Sequence, residues 1–380
     1  MIALVFVFLQ AAPAFVRVHA AEPVTSYANV PGLALLAAAP TRAFFRPLVT
    51  ALEAARVPGP LPKALGCNRD AVLSVDFDVA GWLTEMAQHP DGHERAIRVL
   101  SALGVSDAQR FVACVVPTKK GVDLRGRLVL ARWSGMLASV GAPELTKLRF
   151  AKDAYWSASA SLAWPDAFRA VKQIDKAWAN TRGSRLDAAI AASSTLLDVD
   201  FERAFVAPLT GRFDVALVYR AATKEAAMVA VADAKSTADA ARVLAVTEET
   251  MPRASFDRTR QKNEWGFVAG VEPLFVRLGA TEMRAANAAF ALALAPDNLA
   301  ATDGAASVLG FVDVGRYRRL YERVGRIEDT TALVRELHLA GAVDMQKTPH
   351  PKALFVGVEK CEAALKRGES ELSFTLRCVR

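Results

Sequence analysis

One stretch that occurs twice in the chain decides the predicted fold. Residues 72–82 read VLSVDFDVAGW, and residues 307–317 read SVLGFVDVGRY. In both copies an apolar run with β-branched residues predicts a strand. The aspartate that ends the run, Asp78 in one copy and Asp313 in the other, predicts the start of a helix, because its carboxylate can accept the free N–H groups of the first turn.

The sequence after each copy continues in the same order, through a second helix, a glycine and two strands. This second helix ends at Gly104 in the first copy, and its counterpart ends at Gly341. The strands are predicted at 110–116 and 123–132 in the first copy, and at 353–358 and 371–378 in the second. This agreement predicts an internal duplication, with repeat units at 72–132 and 307–380.

The middle of the chain repeats the pattern more faintly. Alternating residues predict a strand at 157–164, and apolar residues at helical spacing predict a helix after Pro165. Further strands are predicted at 197–201, 213–219, 228–232, 265–271, 274–278 and 289–295, with a helix at 237–247. Because strands come in adjacent pairs as often as they alternate with helices, the sequence predicts an α+β fold with antiparallel sheets and helices packed on one side.

Length and composition limit the class of protein. The chain has 380 residues, of which 52% are hydrophobic and 23% charged, which disfavours a disordered or coiled-coil protein. Two α+β halves are predicted, residues 21–182 and 183–380, with linker-like sequence at 181–184. The 47 Lys and Arg residues exceed the 40 Asp and Glu residues, so the chain carries a mild basic charge of +7 that is spread along its length.

The first twenty residues have the pattern of a secretory signal peptide. Residues 2–9 form an unbroken apolar run, and Val18-His19-Ala20 offers small side chains to signal peptidase, which predicts cleavage near Ala20. Ala12-Pro13-Ala14 is a second candidate cut, and no lysine or arginine precedes the apolar run. The mature protein is therefore expected in the periplasm or outside the cell.

Export would place the four cysteines, Cys67, Cys114, Cys361 and Cys378, in an oxidising compartment. An even number permits two disulfides, with three possible pairings. Their spacings differ from those of zinc ligands, which come in closely spaced pairs. Cys114 lies in an apolar run, where a buried thiol is the simpler interpretation. A bridge from Cys67 to Cys361 or Cys378 would tie the early part of the chain to its end.

The recurring strand–aspartate–helix start is joined by a second feature at residues 208–217, PLTGRFDVAL, where a leucine and a glycine turn precede a strand. Together these features resemble large extracytoplasmic bacterial proteins that bear signal peptides and are grouped only as domains of unknown function. The resemblance covers most of the mature chain. It implies an envelope protein with duplicated α+β halves, and it implies no activity.

Five aspartates invite a catalytic or metal-binding interpretation: Asp76, Asp78, Asp166, Asp200 and Asp313. Asp78, Asp166 and Asp313 lie at strand-to-helix junctions, which favours capping over acid–base chemistry. His89 and His93 are four residues apart, but Pro90 and Gly92 between them argue against a helical metal site. The chain has no phosphate-binding loop and no dinucleotide-binding glycine motif. The sequence therefore predicts no catalytic residue, no metal and no cofactor.

The most distinctive local feature is a basic helix predicted at residues 316–326. An apolar stripe suited to docking on a sheet consists of Tyr317, Leu320, Tyr321 and Val324. The neighbouring stripe consists of Arg316, Arg319, Arg323 and Arg326. An ordinary surface helix is the simpler interpretation, and the functional one is a binding site for an anionic envelope component or a lipid. Nucleic acid is not expected as a partner, because export removes the chain from it.

These features predict an exported, non-enzymatic envelope protein that binds a partner or organises surface components. Two alternatives from other classes stay open. One is a carrier of an apolar ligand such as a lipid, which would need a connected apolar cavity. The other is a hydrolase of unrecognised type, which would need titratable groups that converge in a cleft.

Overall fold

A computed structural model describes residues 13–27, 46–59, 67, 70–88, 94–150, 152, 154–179, 184–220, 225–253, 256–259, 261–267, 273–296, 299–300, 304–316, 318–319 and 358–379. Strands dominate the described part of the chain, and helices pack against them. The protein is thus a mixed α and β fold built on a large, mostly antiparallel sheet.

The strands, numbered in chain order, are β1 (Val16–Ala20), β2 (Arg56–Pro58), β3 (Leu73–Asp78), β4 (Ala108–Thr118), β5 (Gly121–Leu130), β6 (Lys147–Leu148), β7 (Ala154–Leu162), β8 (Leu209–Arg220), β9 (Glu225–Ala234), β10 (Asp257–Arg258), β11 (Glu264–Phe267), β12 (Leu274–Leu278), β13 (Glu282–Ala286), β14 (Leu299–Ala300), β15 (Val308–Asp313), β16 (Lys360–Arg367) and β17 (Glu371–Val379). The α-helices are α1 (Arg46–Ala54), α2 (Val79–Gln88), α3 (Glu94–Leu103), α4 (Gly135–Ala138), α5 (Trp164–Ala179), α6 (Arg185–Leu197), α7 (Thr237–Thr250) and α8 (Ala289–Leu292).

Fifteen strands form one continuous sheet in the order β10-β11-β12-β13-β9-β8-β7-β15-β16-β17-β5-β4-β3-β1-β2, and β14 pairs with β6 separately. Only β1 and β2 are parallel among the described pairs. Three triplets, β3-β4-β5, β7-β8-β9 and β15-β16-β17, lie side by side in chain order. Because β7 pairs with β8 and β15, and β5 pairs with β17, strands from the predicted halves 21–182 and 183–380 share a single sheet.

The first face of the sheet carries most of the helices. Val18 and Val75 are buried there beneath α2, which inserts Trp82, and this forms the largest apolar cluster. Helix α7 covers the same face further along, where Val243 contacts Trp265. Helix α5 packs against α3, α4 and α6. The short helix α8 is an exception, because it lies on the second face.

Strand β1 belongs to this core. Val16, Val18 and Ala20 are all buried, and β1 pairs with β3 over its whole length and with β2 over its second half. Burying a valine contributes about 1.5–3 kcal/mol relative to leaving it exposed. Cleavage near Ala20, the first of the two cuts expected from the sequence, would remove the entire strand. A cut at Ala12–Ala14 would leave it in place.

Two disulfides join the cysteines as Cys67–Cys114 and Cys361–Cys378, with Cα–Cα distances of 5.8 Å and 4.1 Å. Cys361 and Cys378 lie directly opposite each other on β16 and β17. The interpretation of Cys114 as a buried thiol is wrong, and so is the bridge expected from Cys67 to the end of the chain. Register explains both results, because Cys361 already faces Cys378 across one hairpin. Two disulfides are compatible with an oxidising compartment.

Several predicted elements are confirmed, including β3, β4, β5 and α7. Helix α3 ends before Gly104 as predicted, and this glycine has a φ of 86°. A Cβ atom at Gly104 would lie 2.0 Å from the carbonyl oxygen of Ser134, so the position requires glycine for its space as well as for its conformation.

Two strand predictions are wrong. Residues 197–201 are not a strand, because Leu197 completes α6 and the next residue turns the chain with a positive φ. Residues 289–295 begin with α8, since an alanine-rich run without β-branched residues favours helix. Strand β16 at Lys360–Arg367 was not predicted, because its charged residues are typical of a turn. The strand expected at 353–358 lies outside the described residues except for its last position.

Candidate functional site

Alternate residues of a strand share a face of the sheet. On the second face, the alternate residues of β16, β17 and β5 are mostly polar. The segment at 141–150 and helix α8 cover this face from β15 to β13, where Leu148 and Leu292 are buried. Over β16, β17 and β5, no helix among the described residues covers it. We call this part the open face. Its polar side chains are Lys360, Glu362, Lys366, Glu371, Ser373, Thr375, Arg377, Asp123, Arg125 and Arg127, and Ala364, Val379 and Val129 lie between them.

Asp123 organises the centre of the open face. Its buried carboxylate accepts hydrogen bonds from Arg377 Nε and Nη2 at 3.1 and 3.2 Å, and from Arg125 Nη2 at 2.9 Å. Burial alone would raise the pKa of Asp123, but the two guanidinium groups outweigh that effect and lower the pKa below its ordinary value. The side chain of Arg125 is still 51% exposed, so one carboxylate fixes its position without removing it from solvent.

The balance of charge on the open face is basic. Its cations are Lys360, Lys366, Arg125, Arg127 and Arg377, and its carboxylates are Asp123, Glu362 and Glu371. Arg125 lies opposite Thr375 and Arg127 opposite Ser373, so hydroxyl groups stand beside the guanidinium groups. Guanidinium groups bind carboxylate and phosphate oxygens in a two-point geometry. The arrangement can therefore bind an oxyanion-bearing partner on a flat surface.

A second charge network lies under the covered part of the second face. Asp214 is fully buried and contacts Arg149 at 3.2 Å and the hydroxyl of Ser159. Arg149 also contacts Asp233 at 3.2 Å and Glu282 at 3.5 Å. Burial raises the pKa of Asp233, an effect that Arg149 offsets in part and that Asp214 and Glu282 reinforce. Because each of these carboxylates contacts an arginine, the network joins strands rather than presenting a free acid or base.

Three of the depressions in the described surface are lined by charged side chains. The largest, of about 610 Å³, lies beside α5 and contains Phe168 and Lys172, the latter bound to two carboxylates. Another, of about 310 Å³, lies at the start of β1. There Arg110 donates hydrogen bonds from Nε and Nη2 to the two carboxylate oxygens of Asp76, at 2.7 and 2.8 Å. A third, of about 270 Å³, lies beside α8, whose carbonyls accept hydrogen bonds from Arg284. Lys172, Asp76 and Arg284, one in each depression, are thus paired with a charged side chain or with backbone.

The five candidate aspartates have structural partners. Asp78 accepts a hydrogen bond from the Gly81 N–H at 2.9 Å, and Asp313 accepts one from the Arg316 N–H at 2.7 Å, so capping is confirmed at both. Asp200 accepts one from the Arg203 N–H at 3.1 Å. Capping by Asp166 is wrong, because α5 begins two residues earlier and the carboxylate binds Arg169 instead.

The predicted arginine stripe is only partly described. Arg316 donates to the carbonyl oxygens of Lys152 and Ala154, each at 2.9 Å, and thereby ties the end of β15 to the start of β7. Arg319 is exposed, whereas Arg323 and Arg326 lie outside the described residues. Arg316 therefore stabilises the fold, and binding of an anionic partner by the stripe stays a prediction.

Histidines add little to the candidate chemistry. His19 is buried on β1, and burial lowers its pKa, with Arg17 and Arg110 lowering it further while Asp76 opposes the shift. The other histidines, His89, His93, His338 and His350, lie outside the described residues. In the described ranges, no three His, Cys, Asp or Glu side chains are placed to hold a metal ion.

The open face is not among the features predicted from the sequence, although it contains five lysine and arginine side chains. Arg125 and Arg377 are 252 residues apart, and only the pairing of β5 with β17 brings them together. The available signal is the alternation in β5, where Arg125 and Arg127 occupy every second position between Leu124 and Leu128. Each strand alone shows ordinary alternation.

Comparison with known proteins adds no functional assignment. No protein-family model matches the chain, and no curated protein and no solved structure is significantly similar to it. Within the described ranges, none of the helices has both the length and the apolar character needed to cross a bilayer.

Proposed function

We propose that this chain is an exported, non-enzymatic envelope protein whose open face binds an anionic polymer of the cell surface. The open face itself supports the proposal. The side chains of Arg125 and Arg127 are 51% and 39% exposed, and Arg377 is held beside them by Asp123. A polysaccharide bearing carboxylate or phosphate groups has the complementary chemistry.

Export is supported by two independent features. The apolar run at 2–9, followed by small residues, is typical of a secretory leader. Both disulfides, Cys67–Cys114 and Cys361–Cys378, would persist in the periplasm or outside the cell but not in a reducing cytosol. An extracytoplasmic location would also bring the open face into contact with envelope polymers.

A polymer fits the open face better than a membrane surface does. Proteins that dock on lipid place large apolar side chains beside their cations. The most exposed large apolar side chains in the described ranges are Trp178 on α5 and Leu196 on α6, and both helices lie away from the open face. Binding to lipid is kept as the competing outcome of the test below.

We also infer that the chain arose by duplication of a strand-helix-helix-strand-strand block. The triplets β3-β4-β5 and β15-β16-β17 support this origin, since each begins with a strand that ends in a capping aspartate, Asp78 or Asp313. The last strands of the two blocks, β5 and β17, pair with each other. On this view the open face spans the junction between the two copies.

The described cavities do not favour either alternative function. A carrier of an apolar ligand needs a cavity enclosed mainly by apolar side chains, whereas each of the depressions described above has several charged side chains in its wall. A hydrolase needs a nucleophile and a base free to act on a substrate. We therefore propose binding at the open face in preference to both alternatives.

The test measures binding of the purified full-length mature protein to polygalacturonate, to phosphatidylglycerol vesicles and to phosphatidylcholine vesicles, at increasing NaCl concentration. We expect binding to polygalacturonate that weakens as salt screens the charges, since the screening length is about 10 Å at 0.1 M. Absence of binding to polygalacturonate at low salt would overturn the proposal. Binding to phosphatidylglycerol vesicles alone would replace the polymer by a lipid surface.

A further inference from the structure

We infer that the bond between Ala14 and Phe15 is the site of leader cleavage, so that the mature chain begins at Phe15, directly before β1. This inference rests on the proposed export of the chain. It names a processing site that differs from the cut expected near Ala20.

The fold needs β1. Val18 and Ala20 have no exposed surface, and Val16 has 3%. Each residue of β1 has a partner on β3, from Val16 opposite Phe77 to Ala20 opposite Leu73. Cleavage near Ala20 would leave that side of β3 without its partner and would uncover the largest apolar cluster of the protein.

A bond with the residues that signal peptidase requires lies just upstream of β1. Signal peptidase requires small side chains at the two positions that it grips, and Ala12 and Ala14 provide them. Ala14 follows the apolar run at 2–9 by five residues, whereas Ala20 follows it by eleven. Ala14 is exposed, so it can be replaced without disturbing the core.

Cleavage at this bond would make Phe15 the new N-terminus. Water adds across the amide bond, its hydroxyl joining the carbonyl carbon of Ala14 and its proton joining the nitrogen of Phe15. The resulting ammonium group lies at the rim of the depression that contains Asp76 and Asp78, together with Arg17 and Arg110. The ring of Phe15 packs against Gly81 of α2, where a Cβ atom would lie 2.9 Å from its Cε1. The first mature residue is thus held in place by the core.

The experiment expresses the full chain with its own leader in a bacterial host, and determines the first residues and the intact mass of the protein in each cell fraction. We expect periplasmic protein that begins Phe-Val-Arg-Val. Periplasmic protein that begins at Ala21, or that retains Met1, would overturn the inference while leaving export intact. Unprocessed protein confined to the cytosol would instead overturn the proposed export, and the inference with it.

Two exposed substitutions make the test sharper. Ala14→Leu puts a bulky side chain at the gripped position of the inferred cut. Ala21→Pro removes the N–H after the other cut and obstructs cleavage there. In a pulse-chase measurement we expect Ala14→Leu to slow processing by about tenfold or more, and Ala21→Pro to be processed like the unaltered chain. The opposite pattern would assign the cut to Ala20.

Discussion

Asp123 on β5 and Arg377 on β17 form a two-point ion pair, although 254 residues separate them in the chain. This contact lies where the strand triplet β3-β4-β5 meets the triplet β15-β16-β17. It fixes two guanidinium groups, because the same carboxylate also binds Arg125. The surface that we propose as the binding site therefore depends on one buried acid.

Asp123→Asn keeps the shape of the side chain but removes the charge that holds Arg125 and Arg377. We expect the free energy of unfolding at pH 7 to fall by about 2 kcal/mol, since hydrogen bonds to charged groups contribute roughly 1.5–3 kcal/mol. Because folding lowers the pKa of Asp123, its stabilising effect is present above the ordinary value of 3.8 and is lost as pH falls below it. Urea unfolding at pH 7 and pH 3 checks this, and an equal difference at both pH values would contradict it.

The buried network around Arg149 predicts opposite results for two aspartates. Asp214→Ala leaves Arg149 without its most buried partner, so we expect a loss of about 3–5 kcal/mol in the free energy of unfolding. Folding raises the pKa of Asp233, so its ionisation above pH 3.8 opposes folding. Asp233→Asn should consequently leave stability at pH 7 unchanged or raise it. Thermal unfolding of both variants is the measurement, and equal losses would show that the two acids are equivalent.

The two disulfides are expected to differ in their contribution to stability. Cys67–Cys114 closes a loop of 47 residues and Cys361–Cys378 one of 17, which correspond to about 4 and about 3 kcal/mol in a chain-entropy estimate. The β16–β17 ladder already holds Cys361 near Cys378, so we expect the second bridge to contribute less than this estimate. Urea unfolding of the Cys67→Ser/Cys114→Ser and Cys361→Ser/Cys378→Ser variants measures both, and a larger loss from the second pair would contradict the ranking.

Helix capping predicts a graded response among three aspartates. Asp78→Ala and Asp313→Ala each remove an acceptor from a helix start, and each should cost about 1 kcal/mol of stability. Asp166→Ala is the matched control, because this carboxylate binds only the Arg169 side chain in the described contacts, and its loss should cost less than half as much. Equal costs in all three variants, measured by chemical denaturation, would remove capping as the explanation.

Local patterns in the sequence predict much of the fold correctly. Runs such as Leu73–Asp78 and Gly121–Leu130 form strands because their alternation matches a sheet with one apolar face. Gly104 and Asp78 mark helix boundaries because backbone geometry restricts those positions to particular residue types. These features depend on neighbours in the chain, so they can be seen without a structure.

Features that depend on strand order could not be predicted in the same way. The pairing of Cys67 with Cys114 and the position of Arg125 beside Arg377 both follow from which strands are adjacent. Strand β1 was not predicted for another reason. A short apolar strand next to a predicted leader has the same composition as the leader itself. Local patterns therefore could not predict the candidate site, although they show that arginines alternate along β5.

The most direct test of the central claim compares two double variants in their binding to polygalacturonate at low salt. Arg125→Ser/Arg127→Ser removes two charges from the open face, and Arg98→Ser/Arg242→Ser removes two from exposed positions on helices α3 and α7. We expect the first variant to bind about tenfold more weakly than the unaltered protein, and the second to bind as the unaltered protein does. Equal weakening in both variants, or none in the first, would contradict binding at the open face.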